Sequence, residues 1–313
     1  PPTAFAPAPP PSPMKQSYNP KNEHILVNIN GELLPRDQAK VSVFDSLVQG
    51  GDGCWEGLRV YQGKIFRLGQ HLQRLFHSAK ALDFADVPSE QYIREQIHRT
   101  LEANEMHDGA HIRLTLSRGE KLTSGMDPRL NQAGHTLIVL AEHKAPVYDK
   151  GGLKLITASI RRFPPDCMDP KIHHNNLIQS IMAKIEANYA GADDAMMLDT
   201  RGFVAETNAT HLFMVEDGVL KTSHCVACPE GVTRSTVLQL CREQDIPHEV
   251  TDLSQVEFYR ADEVFCTGTM GELAAVTNID GRTIGSGAIG PMTERLSKLY
   301  VELTQKESEA VLA

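Results

Sequence analysis

The chain has 313 residues, and its 31 Lys and Arg against 40 Asp and Glu give a net charge of −9. Hydrophobic residues make up 41% and charged residues 23%, which excludes wholesale disorder, collagen and coiled coil. The acidic balance argues against a nucleic-acid partner, because phosphate backbones are bound by basic surfaces. No apolar run reaches the ~18 residues that a membrane helix needs, and the length predicts two domains or one large one.

The first residues differ from the rest of the chain. Residues 1–13 contain seven prolines and show no hydrophobic periodicity, which predicts an extended, disordered arm that we assign to residues 1–22. The arm lacks the basic start and apolar core of a secretory signal. We therefore expect the six cysteines to be reduced and the protein to be cytoplasmic.

Five turn pairs between apolar runs predict β-hairpins in both halves of the chain, because such pairs reach the positive φ of two-residue turns. They are Asn30-Gly31, Gln62-Gly63, Arg201-Gly202, Asp217-Gly218 and Asp280-Gly281. Apolar residues spaced by three and four positions predict helices between the hairpins. These helices cover 70–83, 89–104, 174–189, 234–244 and 291–304. Strands and helices intermix without strict alternation, so the predicted class is α+β in each of two α/β domains.

A polar stretch with one proline and two glycines separates two predicted strands and predicts an interdomain linker at 142–152. The linker divides a small N-terminal domain, 23–141, from a larger domain, 153–305, which a C-terminal tail follows at 306–313.

Cys225 and Cys228 form a CxxC motif that follows His224. A structural zinc site usually takes four ligands from two such pairs, and the sequence has no second pair, so we predict no metal site. A redox pair and two unrelated buried thiols are the remaining alternatives, and we favour the thiols.

Two segments predict contacts with an anion. PEGVTRSTVLQL is a turn that runs into a helix, where unpaired amides and the helix dipole favour an anion. TGTMGEL, Thr267–Leu273, places small and hydroxyl residues after an apolar strand, where they can contact a second side of a phosphate. Each segment alone also fits an ordinary capped helix or turn.

Taken in order, the segments from about Ile25 to Leu303 resemble the class IV, fold-type IV enzymes that depend on pyridoxal 5′-phosphate. The stretches that carry the resemblance are NINGELLPRDQAKVSVFD, WEGLRVYQGKIFRLGQHLQRLFHSAKAL, KIHHNNLIQSIMAKIEA, AMMLDTRGFVAETNATHLFMVEDGVL, PEGVTR and TGTMGEL. The resemblance implies a small N-terminal α/β domain, a larger barrel-like C-terminal domain, and a cofactor between them.

The resemblance also implies residue roles. Lys171 matches the catalytic Schiff-base lysine, Glu206 the acid that pairs with the pyridine nitrogen, and Arg74 the arginine that binds the phosphate. The further implied cofactor contacts are Asn176, Val232, Thr233 and Thr269, and the implied substrate contacts are Trp55, Arg113, Arg118, Thr269 and Met270. Asn176 stands where many members have a tyrosine near the phenolic oxygen of the cofactor.

Two arginines are alternatives for the substrate carboxylate. Arg113 aligns with an inward position of branched-chain enzymes, and Arg118 aligns with the carboxylate-binding arginine of D-amino-acid enzymes. WEGLR resembles the first branch, while GGDG resembles the second.

The activity that the resemblance implies is a transaminase working between an amino acid and a 2-oxo acid such as 2-oxoglutarate. Branched-chain L-amino acids are the first expected donors, and a homodimer or higher homo-oligomer is expected. The alternatives are a D-amino-acid aminotransferase, an (R)-selective amine transaminase, an aminodeoxychorismate lyase, and a non-catalytic binding protein of the same fold.

Overall fold

The computed structural model describes residues 18–145 and 151–311. Residues 1–17 of the predicted arm, 146–150 of the predicted linker and 312–313 of the predicted tail lie outside the described residues. The prediction of an arm is wrong for its last residues, because Pro20–Asn22 form a 3-10 turn. The side chains of Asn19 and Asn22 both donate to the carbonyl of His143, at 3.3 and 3.0 Å, which ties this turn to the first domain.

The first domain has a seven-stranded antiparallel sheet, six of whose strands come from this part of the chain and the seventh from its end, with two long helices packed against it. Its elements are β1 (Leu26–Ile29), β2 (Glu32–Pro35), α1 (Ser46–Gly50), β3 (Gly53–Tyr61), β4 (Lys64–Phe66), α2 (Leu68–Ala81), α3 (Glu90–Ala103), β5 (Ala110–Ser117) and β6 (Thr136–His143). Apolar residues of both helices share one buried core with β3, β5 and β6. The predicted helices 70–83 and 89–104 are confirmed as α2 and α3.

The second domain contains a larger mixed sheet. Its elements are β7 (Leu153–Thr157), α4 (Ile178–Tyr189), β8 (Asp194–Leu198), β9 (Val204–Thr207), β10 (His211–Glu216), β11 (Val219–Thr222), α5 (Val232–Glu243), β12 (His248–Val250), α6 (Gln255–Arg260), β13 (Glu263–Gly268), β14 (Glu272–Ile279), β15 (Arg282–Thr283), α7 (Pro291–Glu307) and β16 (Ser308–Ala310). The strand order is β12-β11-β10-β13-β14-β7-β8-β9, with β15 beside β14. The amide of Thr207 donates to the carbonyl of Thr210 at 2.7 Å, so the far edge of the sheet turns back toward its middle as a half-barrel.

The five predicted hairpins are confirmed as β1–β2, β3–β4, β8–β9, β10–β11 and β14–β15. The glycine of each turn has a positive φ, between 73° and 93°. Glycine adopts this conformation at no steric cost, which is why these short sequence signals predict the strand pairing.

The predicted C-terminal tail is wrong for residues 306–310. Helix α7 continues to Glu307, and β16 then pairs with β4, which places it at the edge of the first domain's sheet in the order β16-β4-β3-β5-β6-β1-β2. Leu296 and Tyr300 of α7 also pack with Phe66 of the first domain. The end of the chain therefore holds the two domains together.

The predicted helix 174–189 begins four residues late, as α4. Residues before it pair with the start of β3, since the amide of Trp55 donates to the His173 carbonyl and the amide of Asn175 to the Gly53 carbonyl. Ile178, Ile181 and Ile185, which belong to the apolar spacing that predicts this helix, are exposed rather than buried. Met182 and Tyr189 of the same helix are exposed as well. No helix in the described part of the chain is long and apolar enough to cross a membrane.

Candidate active site

A cavity lies between the two domains and consists of two adjoining chambers. The first chamber has a volume of about 230 Å³ and is lined by Arg74 and His111 from the first domain and by the loops before α5 and after β13 from the second. The second chamber has a volume of about 220 Å³ and extends toward the start of α4. The wall that the two chambers share contains Trp55, His173, Glu206, Ala209 and Pro229.

Arg74 projects from α2 into the first chamber and is held by a buried carboxylate. Its Nε and Nη2 donate to the two carboxylate oxygens of Glu56, both at 2.7 Å, and its Nη1 donates to the Glu230 carbonyl at 2.8 Å. Burial alone would raise the pKa of Glu56, but the charge of Arg74 and the neighbouring His173 hold this pKa well below its usual value. The guanidinium has five N–H donors, so a fixed Arg74 still has donors for an anion in the chamber.

The beginning of α5 forms the opposite wall of the first chamber. Gly231, Val232 and Thr233 line the chamber, and the first-turn amides of a helix have no partner within it. Thr267 also lines the chamber, and its Oγ1 is buried without a hydrogen-bond partner. Because these donors face Arg74, the first chamber is suited to a small anion such as a phosphate.

Glu206 lies on β9, is 4% exposed, and lines both chambers. Its carboxylate forms an ion pair with the guanidinium of Arg162. Burial lowers the pKa of Arg162 to about 10, so the arginine still carries its charge at neutral pH. The buried pair therefore keeps a carboxylate at the shared wall.

Three histidines line the first chamber, two of them buried and His173 half-buried, and all are uncharged near neutral pH. Burial lowers the pKa of His111 to about 3, with the charges of Lys144 and Arg113 acting in the same direction. Burial also lowers the pKa of His173 and, more strongly, that of His211. The positive charge of the cavity therefore comes from its arginines.

The structure separates the two arginines that the sequence left as alternatives. Arg113 lines the second chamber, where its Cζ lies 3.4 Å from the centre of the Trp55 ring. Arg118 lines neither chamber, and its guanidinium binds the carboxylate of Asp52 and the carbonyls of Leu82 and Asp83. Arg113 is thus the one of the pair that can reach a ligand in the cavity.

Lys171 does not lie with the other predicted residues. Its side chain is 43% exposed, and its Nζ lies 3.8 Å from the Asp169 carboxylate. It lines neither chamber, although its neighbours Pro170 and Ile172 line the second. The assignment of Lys171 as the Schiff-base lysine stays a prediction.

The remaining predicted residues meet in the cavity. Trp55 lines both chambers, Asn176 lines the second, and the first is lined by Val232, Thr233, Thr269 and Met270. The sequence analysis missed Glu56, His173, His211 and Arg59. The signal for Glu56 was present, since it follows Trp55 in WEGLR on a largely apolar strand. Arg59 lies beside Thr233 and Thr269, and its Nε and Nη1 are buried without partners.

The sequence is similar to that of known aminotransferases. The sequence model for class IV aminotransferases matches residues 53–279. The branched-chain-amino-acid aminotransferase-like protein 1 of Arabidopsis thaliana is 54% identical over 302 residues, which is 96% of this chain and 54% of that protein. The chain therefore spans about half the length of this relative. The branched-chain-amino-acid aminotransferase of Pseudomonas aeruginosa is 34% identical over 290 residues, covering 90% of this chain and 93% of that one.

Solved structures show the same fold. A T.th. branched-chain amino acid aminotransferase complexed with N-(5′-phosphopyridoxyl)-L-glutamate superposes with a TM-score of 0.85 at 33% identity, over 92% of this chain and 99% of that one. The same enzyme with pyridoxamine 5′-phosphate superposes with a TM-score of 0.85 at 32% identity, over 92% and 99%. Class IV aminotransferases use pyridoxal 5′-phosphate.

The cavity fits the phosphate and the ring nitrogen of that cofactor. Arg74, the start of α5 and the unpartnered Thr267 Oγ1 fit a phosphate, and the buried Glu206 fits a protonated ring nitrogen. The aldehyde carbon of the cofactor would need a primary amine for a covalent link, and no lysine lines either chamber in the described part of the chain. Lys171, the predicted amine, lies between Pro170 and Ile172, which line the second chamber.

Proposed function

Because this chain belongs to the class IV aminotransferase family, we propose that it binds pyridoxal 5′-phosphate in the interdomain cavity and transfers an amino group between an amino acid and a 2-oxo acid such as 2-oxoglutarate. The observation that carries the proposal is the first chamber. There Arg74, oriented by Glu56, faces the start of α5 and the buried Thr267 hydroxyl.

Branched-chain L-amino acids are the proposed donors. The second chamber has apolar walls at Phe163, Ile172 and Leu177, and an apolar wall suits an aliphatic side chain. It also contains the guanidinium of Arg113, which suits a carboxylate, whereas its other arginine, Arg162, is paired with Glu206. The names of the relatives from Arabidopsis thaliana and Pseudomonas aeruginosa point to the same substrate class.

A homodimer or higher homo-oligomer and a cytoplasmic location are part of the same proposal. The exposed apolar face of α4 supports an oligomer, because monomers seldom expose contiguous apolar patches. The six cysteines are free thiols, which supports a reducing compartment.

Replacing Arg74 tests the phosphate site. We expect Arg74→Ala to weaken cofactor binding by roughly 10- to 100-fold, because hydrogen bonds to charged groups contribute about 1.5–3 kcal/mol. Equilibrium dialysis with pyridoxal 5′-phosphate measures the change. Arg129→Ala is the matched control, since Arg129 is exposed and pairs with Asp127 on the surface. Equal affinity of the Arg74 variant and the wild type would reject the phosphate site.

Half-reactions test the substrate. The cofactor-loaded protein is mixed separately with L-leucine, D-alanine and (R)-1-phenylethylamine, and formation of pyridoxamine 5′-phosphate is followed by chromatography. We expect the fastest conversion with L-leucine. Faster conversion with D-alanine or with the amine would reject branched-chain L-amino acids as the preferred donors.

A second candidate function is binding of the phosphorylated cofactor without turnover. The absence of lysine from the walls of both chambers, within the described residues, favours it. The same half-reactions separate the two candidates, because this one predicts bound cofactor and no conversion with any donor.

A further inference from the structure

Two cysteines and a histidine form a cluster beside the first chamber, outside the donors proposed for the cofactor. The sulfur atoms of Cys225 and Cys228 and a ring nitrogen of His211 all lie within 4.8 Å of one another. We propose that these three side chains bind a zinc ion. The inference goes beyond the proposed function, because it concerns a metal ion that takes no part in amino-group transfer.

Strand pairing brings the histidine and the cysteines together. β10 begins at His211, and Phe213 of this strand lies opposite Thr222, the last residue of β11. The Thr222 hydroxyl donates to the Leu212 carbonyl at 2.7 Å, which holds the end of β11 against β10. The chain that leaves β11 therefore passes His211, and Cys225 follows shortly after.

The CxxC segment is a turn that is fixed by main-chain contacts. The Val226 amide donates to the His224 carbonyl at 2.9 Å. The Arg234 guanidinium of α5 donates to the Ser223 carbonyl at 2.8 Å. These bonds hold the turn between β10 and α5, and two cysteines separated by two residues have the spacing of many zinc-binding pairs.

The three side chains are sheltered and of the types that zinc prefers. His211 is 7% and Cys228 1% exposed, and Cys225 is half-buried. The ring of His211 makes no hydrogen bond in the described part of the chain. Zinc binds sulfur at about 2.3 Å and nitrogen at about 2.0–2.1 Å in a tetrahedron, which places the ligand atoms about 3.5–3.8 Å apart. Atoms that already lie within 4.8 Å reach this geometry by small side-chain rotations.

The charges of the cluster are compatible with a divalent ion. On binding, each thiol releases its proton to solvent, so that two thiolates and one neutral imidazole surround an ion of charge +2. The resulting site is neutral and adds no repulsion to the arginines of the cavity, of which Arg162 is already paired with Glu206. Three protein ligands leave the fourth position of the tetrahedron for water.

The ligand set was hidden in the sequence, because a single CxxC pair supplies only two ligands and the third comes from another strand. The position of the cluster connects it to the cavity. Pro229 and Gly231 follow the motif and line the first chamber, and the Glu230 carbonyl between them accepts from Arg74. A bound ion would tie this loop to β10.

The metal content of the full chain tests the inference. The wild type, Cys225→Ser, Cys228→Ser and His211→Gln are reduced, freed of metal with a chelator, dialysed against buffered zinc and analysed by inductively coupled plasma mass spectrometry. Cys167→Ser is the matched control, since Cys167 is exposed and lies outside the cluster. Cobalt(II) is the second probe, because its visible absorption reports tetrahedral thiolate ligands.

We expect about one zinc ion per chain in the wild type and in Cys167→Ser, with a tetrahedral cobalt spectrum. The three ligand variants should bind zinc about tenfold or more weakly, since even the loss of a hydrogen bond to a metal ligand costs about 10- to 100-fold in affinity.

A reduced wild type that takes up no zinc would overturn the inference. So would a disulfide between Cys225 and Cys228 that forms in place of zinc binding, or equal zinc affinity in all variants. These outcomes leave the proposed function standing, because zinc binding is measured without added cofactor. If His211→Gln does not fold, the two cysteine variants still decide the question.

Discussion

At the scale of single residues, the phosphate end of the cavity depends on the close contact between Gly231 and the imidazole of His211. A Cβ on Gly231 would meet Cδ2 and Nε2 of His211 at 2.4 Å, nearer than real Cβ contacts come. The φ of Gly231 is −70°, so the restriction is steric and not conformational. Because Gly231 has no Cβ, the start of α5 can lie against the His211 imidazole at the wall of the chamber.

Gly231→Ala should therefore displace either His211 or the first turn of α5. We expect cofactor affinity to fall about tenfold or more, since phosphate contacts of this kind are worth about 1.5–3 kcal/mol, and dialysis measures it. Gly50→Ala is the matched control, because nothing lies within 4 Å of a Cβ at Gly50. Equal loss of affinity in both variants would contradict this account.

His111 should make stability depend on pH. Its pKa is about 3 in the folded protein and about 6.5 in an unfolded chain. Below pH 6.5 the unfolded chain binds the proton and the folded protein does not, so the free energy of unfolding falls as the pH drops from about 6.5 toward 3. Above this range the residue contributes no pH dependence.

We expect His111→Gln to reduce the slope of unfolding free energy against pH by up to about 1.4 kcal/mol per pH unit between about pH 6 and 4. Urea titrations at several pH values measure this slope. The exposed His107 supplies the control variant His107→Gln. A slope in His111→Gln that equals the wild-type slope would show that the imidazole is not buried.

At the scale of elements, α4 presents its apolar face outward. Only small or polar side chains of this helix are buried, namely Gln179, Ala183 and Ala187. Ile181 and Ile185 are 52% and 46% exposed. A second copy of the chain is the proposed cover for this face.

We expect Ile185→Glu to shift the protein toward monomer, because a charge on a buried apolar face is costly. Sedimentation velocity at micromolar concentration measures the oligomeric state. Val256→Glu is the matched control, since Val256 is an equally apolar residue, 63% exposed on α6. A wild type that sediments as a monomer, or variants that behave alike, would reject the interface.

The local elements were predictable from sequence because their signals are local. Asn-Gly and Asp-Gly pairs identify hairpins, and apolar spacing identifies α2, α3, α5 and α7 within a few residues. In α4 the same spacing predicts an apolar face, but it does not show whether that face packs on this chain or on a second copy. The late start of α4 was not predictable, since residues 173–175 pair with β3, a strand that lies far earlier in the chain.

Part of the site was predictable as well. Arg74, Glu206, Val232, Thr233 and Thr269 follow from the resemblance, and the structure brings them together. The roles of Glu56 and His173 arise from contacts between distant segments, in which one carboxylate orients Arg74 and lies 3.4 Å from the imidazole. No periodicity or spacing carries such information.

At the scale of the whole molecule, the last described strand returns to the first domain. Glu309 of β16 accepts a hydrogen bond from the Gly69 amide at 2.7 Å and pairs with Arg94 at 2.9 Å. It thereby caps α2, whose N-cap residue Arg67 makes no side-chain capping bond. The helix that carries Arg74 is thus stabilised by a strand that lies far from it in sequence.

Deleting residues 308–313 should lower the free energy of unfolding by roughly 2–4 kcal/mol, because several hydrogen bonds of about 1 kcal/mol each are lost. Urea titrations followed by circular dichroism and by Trp55 fluorescence measure the loss. Glu309→Gln is the milder companion variant, with an expected loss of about 1 kcal/mol or less. Unchanged stability in the truncated protein would contradict the role of β16.

The central claim is that one interdomain cavity holds the cofactor by its phosphate. A crystal structure of the protein soaked with pyridoxal 5′-phosphate tests it most directly. The account predicts the phosphate between Arg74 and the start of α5, and the ring against the wall of His173 and Glu206. A phosphate bound elsewhere, or a ring that lies away from Glu206, would contradict it.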